Sequence, residues 1–270
     1  MNFLIVLFLA LVQRNWPGPN PLRELFEPGA WFHWIGGILS APVPRYLAAV
    51  VAPAVLLWIL LDEMDGFLLG FVYVVVSVAV VFYSVDIIDL DAAFDDQGVW
   101  LRGVKDEDNV VQLEEDQDHF RASLSYDIFQ GLFAVIFWFL VLGPAGALLY
   151  RLTQSFIAAM DDDEHGGEAL DQWLFWLEWL PARITVLLFG LFGDFSRSVD
   201  LVTDAFTDTR DDAMIILGHV TAACIASDTA EDVEDFRACA ADELMELPQL
   251  LERAVWGWVG VAAILTLIGA

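Results

Sequence analysis

The chain is 270 residues long and 58% hydrophobic, with 20 Phe and 11 Trp, yet it carries 40 Asp plus Glu against 12 Lys plus Arg, for a net charge of -28. That balance excludes nucleic acid and anionic headgroups as partners, because both repel a strongly anionic surface. It also forces greasy and acidic residues into separate segments, since the apolar stretches 46–61, 66–85, 128–150 and 255–270 exceed what one soluble domain of this size can bury.

In chain order, residues 2–13 read as a short apolar helix, below the roughly 20 residues that cross a hydrocarbon core of about 30 Å. With no basic n-region and no small-residue cleavage site before Arg14, it reads as a retained segment. Segments 46–61 and 66–85 follow, joined only by Asp62, Glu63, Met64 and Asp65, which predicts an antiparallel helical hairpin. Residues 66–85 contain no charged side chain. Residues 86–127 then mix acids with apolar residues at helical spacing, broken near Asp95, Asp96, Gln97 and Gly98, and read as amphipathic helices.

The next apolar segment, 128–150, ends in the run Gly143, Pro144, Ala145, Gly146 and Ala147. Small residues there predict close helix packing, with proline accommodated by neighbours. Lys is absent from the run and no GK[ST] follows, so a phosphate cradle is disfavoured although Arg151 is near. Asp161, Asp162, Asp163, Glu164 and His165 lack EF-hand spacing and read as a solvated loop. Residues 173–192 form a further membrane segment, interrupted by Glu178, Pro181 and Arg183 and therefore spanning or interfacial. Its Trp173, Trp176 and Trp179 recur every three residues, as a headgroup-level belt or a helix-packing face would. Residues 193–253 resemble 86–127 in pattern, and 254–270 closes the chain with another apolar helix.

The expectation is an all-α, polytopic membrane bundle of about five to six membrane helices, forming a single integral domain over 1–270, with acidic amphipathic cytoplasmic segments 86–127 and 193–253. With six spans, one side receives Arg14, Arg23, Arg45, Arg102, Lys105, Arg121, Arg197, Arg210, Arg237 and Arg253, ten basic residues, and the other only Arg151. Because orientation follows Lys and Arg rather than net charge, the long loops are expected in the cytoplasm and both termini outside. The acid-rich, lysine-poor loops read as a surface solvated for high salt.

Arg183 is the leading candidate for a ligand or transmission site, because an arginine about ten residues from either end of a span is costly in lipid and faces protein or a wet cavity. A structural anchor on carbonyls opened by Pro181 is the competing reading. Glu178 lies about 140° round the helix from Arg183, so Asp171 or an acid on another helix is an equal candidate partner. Arg151 completes the candidate set, while Gly143, Pro144, Gly146 and Pro181 are assigned to helix packing. His33, His119, His165 and His219 are scattered, Cys224 and Cys239 fit no zinc or redox spacing and read as reduced, and neither GxSxG nor GxGxxG occurs. No cofactor is implied, any metal site is left open, and the partners expected are the bilayer and a cytoplasmic or membrane protein.

Two stretches, Phe137 through Leu152 (FWFLVLGPAGALLYRL) and Leu177 through Ile184 (LEWLPARI), together resemble the AmpE family. The resemblance implies a multi-pass protein of the bacterial inner membrane with a regulatory or signal-transducing role, linked to cell-wall recycling and β-lactamase induction. Trp179, Pro181, Ala182, Arg183, Gly143, Tyr150 and Arg151 fall on AmpE-like positions. The W-[LIV]-P-A-R-[LI] stretch is shared with adenosylcobinamide-phosphate synthase of cobalamin biosynthesis, which implies an alternative as a membrane enzyme or transporter. In that alternative Arg183 and Arg151 bind a phosphate or carboxylate, and Asp86, Asp89 or Asp127 holds Mg2+. That enzyme's early His-Pro pair and its Asn-Thr-x-Asp-Ser-Met-like run are replaced here by Arg14-Asn15-Trp16-Pro17 and Leu152-Thr153-Gln154-Ser155.

Overall fold

A computed structural model describes residues 5–7, 20, 22, 26–62, 67–86, 88–105, 109–160, 167–207, 209–225, 230 and 232–268. Among the described residues every regular element is helical. The helices are α1 (Gly29–Ile38), α2 (Pro42–Asp62), α3 (Phe67–Ser84), α4 (Leu90–Gly103), α5 (Val110–Leu142), α6 (Pro144–Met160), α7 (Gly167–Phe192), α8 (Phe195–Thr207), α9 (Ala213–Ile225) and α10 (Val233–Ile268). Four stretches are long and apolar enough to cross a membrane: Pro42–Asp62, Val110–Leu142, Leu170–Phe192 and Val233–Leu267. The protein is therefore a helical membrane bundle. Most of the segment 2–13, the connection 63–66 and the acidic run 161–165 lie outside the described residues.

Three helix boundaries differ from those set by hydropathy. The apolar stretch 128–150 is not one helix, because Gly143 adopts φ 69 and ends α5, and Pro144 starts α6. A positive φ is open to glycine at little cost, and proline suits the first helical turn. Helix α5 in turn begins at Val110, inside the stretch read as cytoplasmic, and α10 begins at Val233 rather than near 254. Hydropathy marks where charge begins, whereas Glu, Gln, Arg and Leu propagate a helix through both environments.

The chain gathers into two compact units. The first contains α1, α2, α3, residues 130–142 of α5, α6, and α7 as far as Glu178. Its core is Phe32, Ile35, Tyr46, Ala49, Val50, Leu152, Phe156 and Leu170. The Phe156 ring stands edge-on to Phe32 at 5.2 Å and to Tyr46 at 5.7 Å. Helix α6 folds back on α5 so closely that a Cβ on Gly146 would collide with the Trp138 carbonyl and stand 2.6 Å from the Leu142 Cβ. The Asn20 amide closes the end of α3 by donating to the carbonyls of Phe82 and, at 3.1 Å, Val85.

The second unit contains α4, α5 up to Phe129, α7 from Trp179, α8, α9 and α10 up to Gly260. Helix α9 lies on α5 through small residues: a Cβ on Gly218 would stand 2.7 Å from that of Ala122, and the Ser125 and Thr221 hydroxyls bond at 3.1 Å. A second cluster joins Val104, Leu113, Val233, Phe236 and Ala240. Aspartates open four of its helices. Asp89 accepts from the Ala92 amide, Asp194 from Ser196 and Arg197, Asp212 from Ile215, and Asp232 from Glu234 and Asp235. A carboxylate there satisfies orphan amides and meets the positive end of the helix dipole.

Candidate functional site

In the first unit a row of polar side chains runs through the apolar packing. The Glu178 Oε1 accepts from the Gln130 side-chain amide at 2.8 Å and from the Tyr150 hydroxyl at 2.8 Å. Tyr150 in turn accepts from the Gln154 amide at 3.0 Å, and the Gln154 oxygen takes a bond from Arg151 Nη1 at 3.3 Å. The same guanidinium lies 3.8 Å from the Asp86 carboxylate. Glu178 is 4% exposed, Tyr150 fully buried and Arg151 6% exposed. Alongside, the hydroxyls of Tyr46 and Thr153 meet at 2.9 Å.

Local backbone chemistry sets this row in place. Residues Phe129–Phe133 of α5 form a π-helical turn that contains Gln130, and the Gly131 carbonyl accepts from the Asp86 amide at 2.9 Å. A π-turn shifts the register of the ladder and frees a carbonyl in mid-helix, a deviation found repeatedly at functional sites. In α6 the residues Tyr150, Arg151 and Gln154 fall within one helical turn, so they share a face.

In the second unit Arg183 is fully buried. Its Nε donates to the Ala205 carbonyl at 2.9 Å and Nη1 donates to the Trp179 carbonyl at 3.2 Å, while the guanidinium lies 4.7 Å from the Trp179 ring centroid. Ala205 is in the last turn of α8, where carbonyls lack amide partners and the helix dipole is negative. Arg237 does the same for Val104 at the end of α4, and Arg253 for Phe192 at the end of α7, at 2.6 and 3.2 Å. Arg121 is held differently, by Glu243 at 2.6 Å and by Asp118, with Gln117 also donating to Glu243 at 3.0 Å.

Pro181 leaves the Leu177 carbonyl without its helical amide, and the Trp138 indole donates to it at 3.1 Å. The Thr185 hydroxyl donates to the Pro181 carbonyl at 2.9 Å. The three tryptophans of α7 do not share one environment: Trp173 packs on Tyr46 at 4.8 Å, Trp176 is exposed, and Trp179 underlies Arg183.

Of the residues singled out in the sequence, Glu178 and Arg151 thus meet in one polar row, and Arg183 rests on backbone carbonyls of the second unit. Asp171 is exposed and has no hydrogen bond or ion pair among the described residues. Gln130 and Gln154, which link the row, are not among the site residues expected from the sequence, and Tyr150 enters there only through its AmpE-like position. Gln130 carried a signal, being a lone amide inside an apolar run. Among the described residues no group of three or more His, Cys, Asp or Glu side chains is placed to hold a metal ion. Cys224 donates to the Phe189 carbonyl at 3.3 Å, and burial pushes its thiol up to about 11.

Comparison with known proteins adds two matches. The sequence model of the family described as regulatory signalling modulator protein AmpE matches residues 99–270. A cobalamin biosynthesis protein CobD from Chromobacterium violaceum is 42% identical over 66 residues, 23% of this chain and 21% of its own length. The chain thus spans about a fifth of that relative. No solved structure matches.

Proposed function

Because the chain belongs to the AmpE family, we propose that it is a multi-pass regulatory protein of the bacterial inner membrane, in which the row at Glu178 is the signal-responsive element. The observation that carries this reading is a buried carboxylate that accepts from the Gln130 amide and the Tyr150 hydroxyl, one turn before Pro181 in an apolar helix. An intramembrane acid in that setting is expensive and marks function. A regulator needs two packings of similar energy that a ligand or partner biases unequally. A proline-interrupted helix beside such an acid supplies one candidate.

The process regulated is, in this reading, cell-wall recycling with β-lactamase induction, received by a cytoplasmic or membrane protein partner. In this reading the long acidic stretches face the cytoplasm, which the distribution of basic residues supports, and their low lysine content suits a salt-rich interior. The test is antibiotic-induced β-lactamase expression in the source bacterium carrying Glu178→Gln or Tyr150→Phe in place of the wild-type gene. Changed induction at unchanged protein level supports the reading. Unchanged induction in both variants and in the deletion strain rejects it.

The match to the cobalamin biosynthesis protein favours a second reading, a membrane enzyme or transporter that binds a phosphate or carboxylate at Arg151. The long Arg151 to Asp86 separation fits a guanidinium able to take another anion. Corrinoid or nucleotide binding to the detergent-solubilised protein, lost on Arg151→Ala, decides for it.

A further inference from the structure

Helix α1 lies outside the stretch that the family model matches. Its sequence, GAWFHWIGGI, contains no Lys, Arg, Asp or Glu, and its ten residues reach about 15 Å, half of what a bilayer core requires. One face, Phe32 and Ile35, is buried in the first unit. The adjoining face exposes Trp31, Trp34 and Ile38, at 40%, 58% and 62%, and the two indoles stack at 5.4 Å. With His33 as the one polar side chain exposed on it, the helix offers little surface suited to water.

Contacts with α2 set its depth. The Trp31 indole donates to the Ala49 carbonyl at 3.0 Å, the Arg45 guanidinium reaches the Phe32 carbonyl at 3.5 Å, and a Cβ on Gly36 would stand 2.8 Å from the Arg45 Cζ. Helix α1 therefore runs back along the first turns of α2, with Trp31 four residues inward of the Arg45 level, roughly 6 Å at the helical rise. The Arg45 guanidinium packs inward, 5.7 Å from the Phe156 ring centroid, and so pins α1 to the start of α2. Helix α2 likewise exposes Val43, Leu47, Val55, Leu56 and Trp58 along a span only 22% buried.

We propose that α1 is an interfacial helix whose Trp31, Trp34 and Ile38 face docks into the acyl–headgroup boundary of the bilayer. Three observations carry it: a length too short to cross, a position against the first turns of α2 at one end of a span, and two stacked, exposed indoles, the side chains aromatic belts use. The proposal is independent of the regulatory reading and fails separately from it.

The experiment uses the full chain in lipid nanodiscs, one protomer per disc, with Cys224→Ala and Cys239→Ala as background and an environment-sensitive fluorophore on Trp34→Cys or Ile38→Cys. A nitroxide near the glycerol end of the acyl chain is expected to quench the Trp34→Cys label about twofold more than one at the terminal methyl, and the Ile38→Cys label is expected to sit shallower. Aqueous iodide should quench both much less than a label on exposed Asp96, in α4 outside the candidate spans. Iodide quenching equal to that at Asp96 overturns the proposal, as does strongest quenching from the terminal methyl. Lipid quenching that disappears when two protomers share a disc places a second copy on this face and also overturns it.

Discussion

The Trp138 indole donates to the Leu177 carbonyl, the group that Pro181 strips of its helical amide. A helix broken by its own sequence is thereby repaired from a neighbouring helix, as membrane-embedded prolines require. Trp138→Phe keeps the ring but removes the donor, and is expected to lower stability by about 1 kcal/mol in detergent thermal unfolding. In a Pro181→Ala background residue 181 regains an amide for Leu177, so the same change should then cost close to nothing. Additive costs across this double-mutant cycle would refute the pairing.

Arg183 binds the last turn of α8 through the Ala205 carbonyl and stacks on Trp179. Arg183→Ala is expected to destabilise by about 2–3 kcal/mol, because buried acceptors lose a charged donor. Lysine lacks the planar fork, so Arg183→Lys should recover only part of this. If Arg183→Ala leaves thermal stability intact while changing induction, the side chain serves a ligand and the capping role is wrong.

Gly146→Ala pushes a methyl group into Trp138 and Leu142, and is expected to cost about 2–3 kcal/mol or to abolish accumulation of folded protein. Gly143→Ala meets no neighbour within 4 Å and is penalised by its backbone angles, φ 69 and ψ -159, a region essentially confined to glycine, at about 1–3 kcal/mol. Chemical denaturation in detergent reads both costs. Full stability of Gly146→Ala would refute the close approach of α6 to α5, and full stability of Gly143→Ala would refute its backbone angles.

Burial holds the Cys224 thiol up to about 11. A folded pKa above the free value of about 8.5 means that the contribution of this group to stability is complete below that pH and declines as the solution is made alkaline toward 11. In a Cys239→Ala background, alkylation at pH 8 should be negligible until denaturant is added. Rapid labelling of the native protein would show that Cys224 is accessible.

Arg121 and Glu243 are each 7% exposed and joined at 2.6 Å. Removing one partner leaves a buried charge, so Arg121→Met should cost about 3–5 kcal/mol, and the double change Arg121→Met with Glu243→Leu markedly less. Chemical denaturation of the full chain in detergent reads the difference.

The apolar stretches were legible because lipid demands long runs without charge, and Glu178, Arg151 and Arg183 stood out as ionisable groups inside them. The break at Gly143 was not legible. A glycine in an apolar run has the same hydropathy whether it packs inside a helix or turns with φ 69. Gln130 and Gln154, and the bond of Tyr150 to Glu178, were missed for a related reason. Neutral polar side chains leave no mark in charge or periodicity, and the bonds that reveal them join residues 48 and 28 positions apart, Gln130 and Tyr150 to Glu178. The starts of α5 and α10 escaped because good helix formers run on past the point where acids begin.

Asp89, Asp194, Asp212 and Asp232 hold the opening amides of α4, α8, α9 and α10. Any variant of this protein with reduced negative charge must therefore leave those four positions able to accept hydrogen bonds. Asparagine meets that requirement and lysine does not. The excess negative charge is removable from exposed helix faces, but not from the places where helices begin.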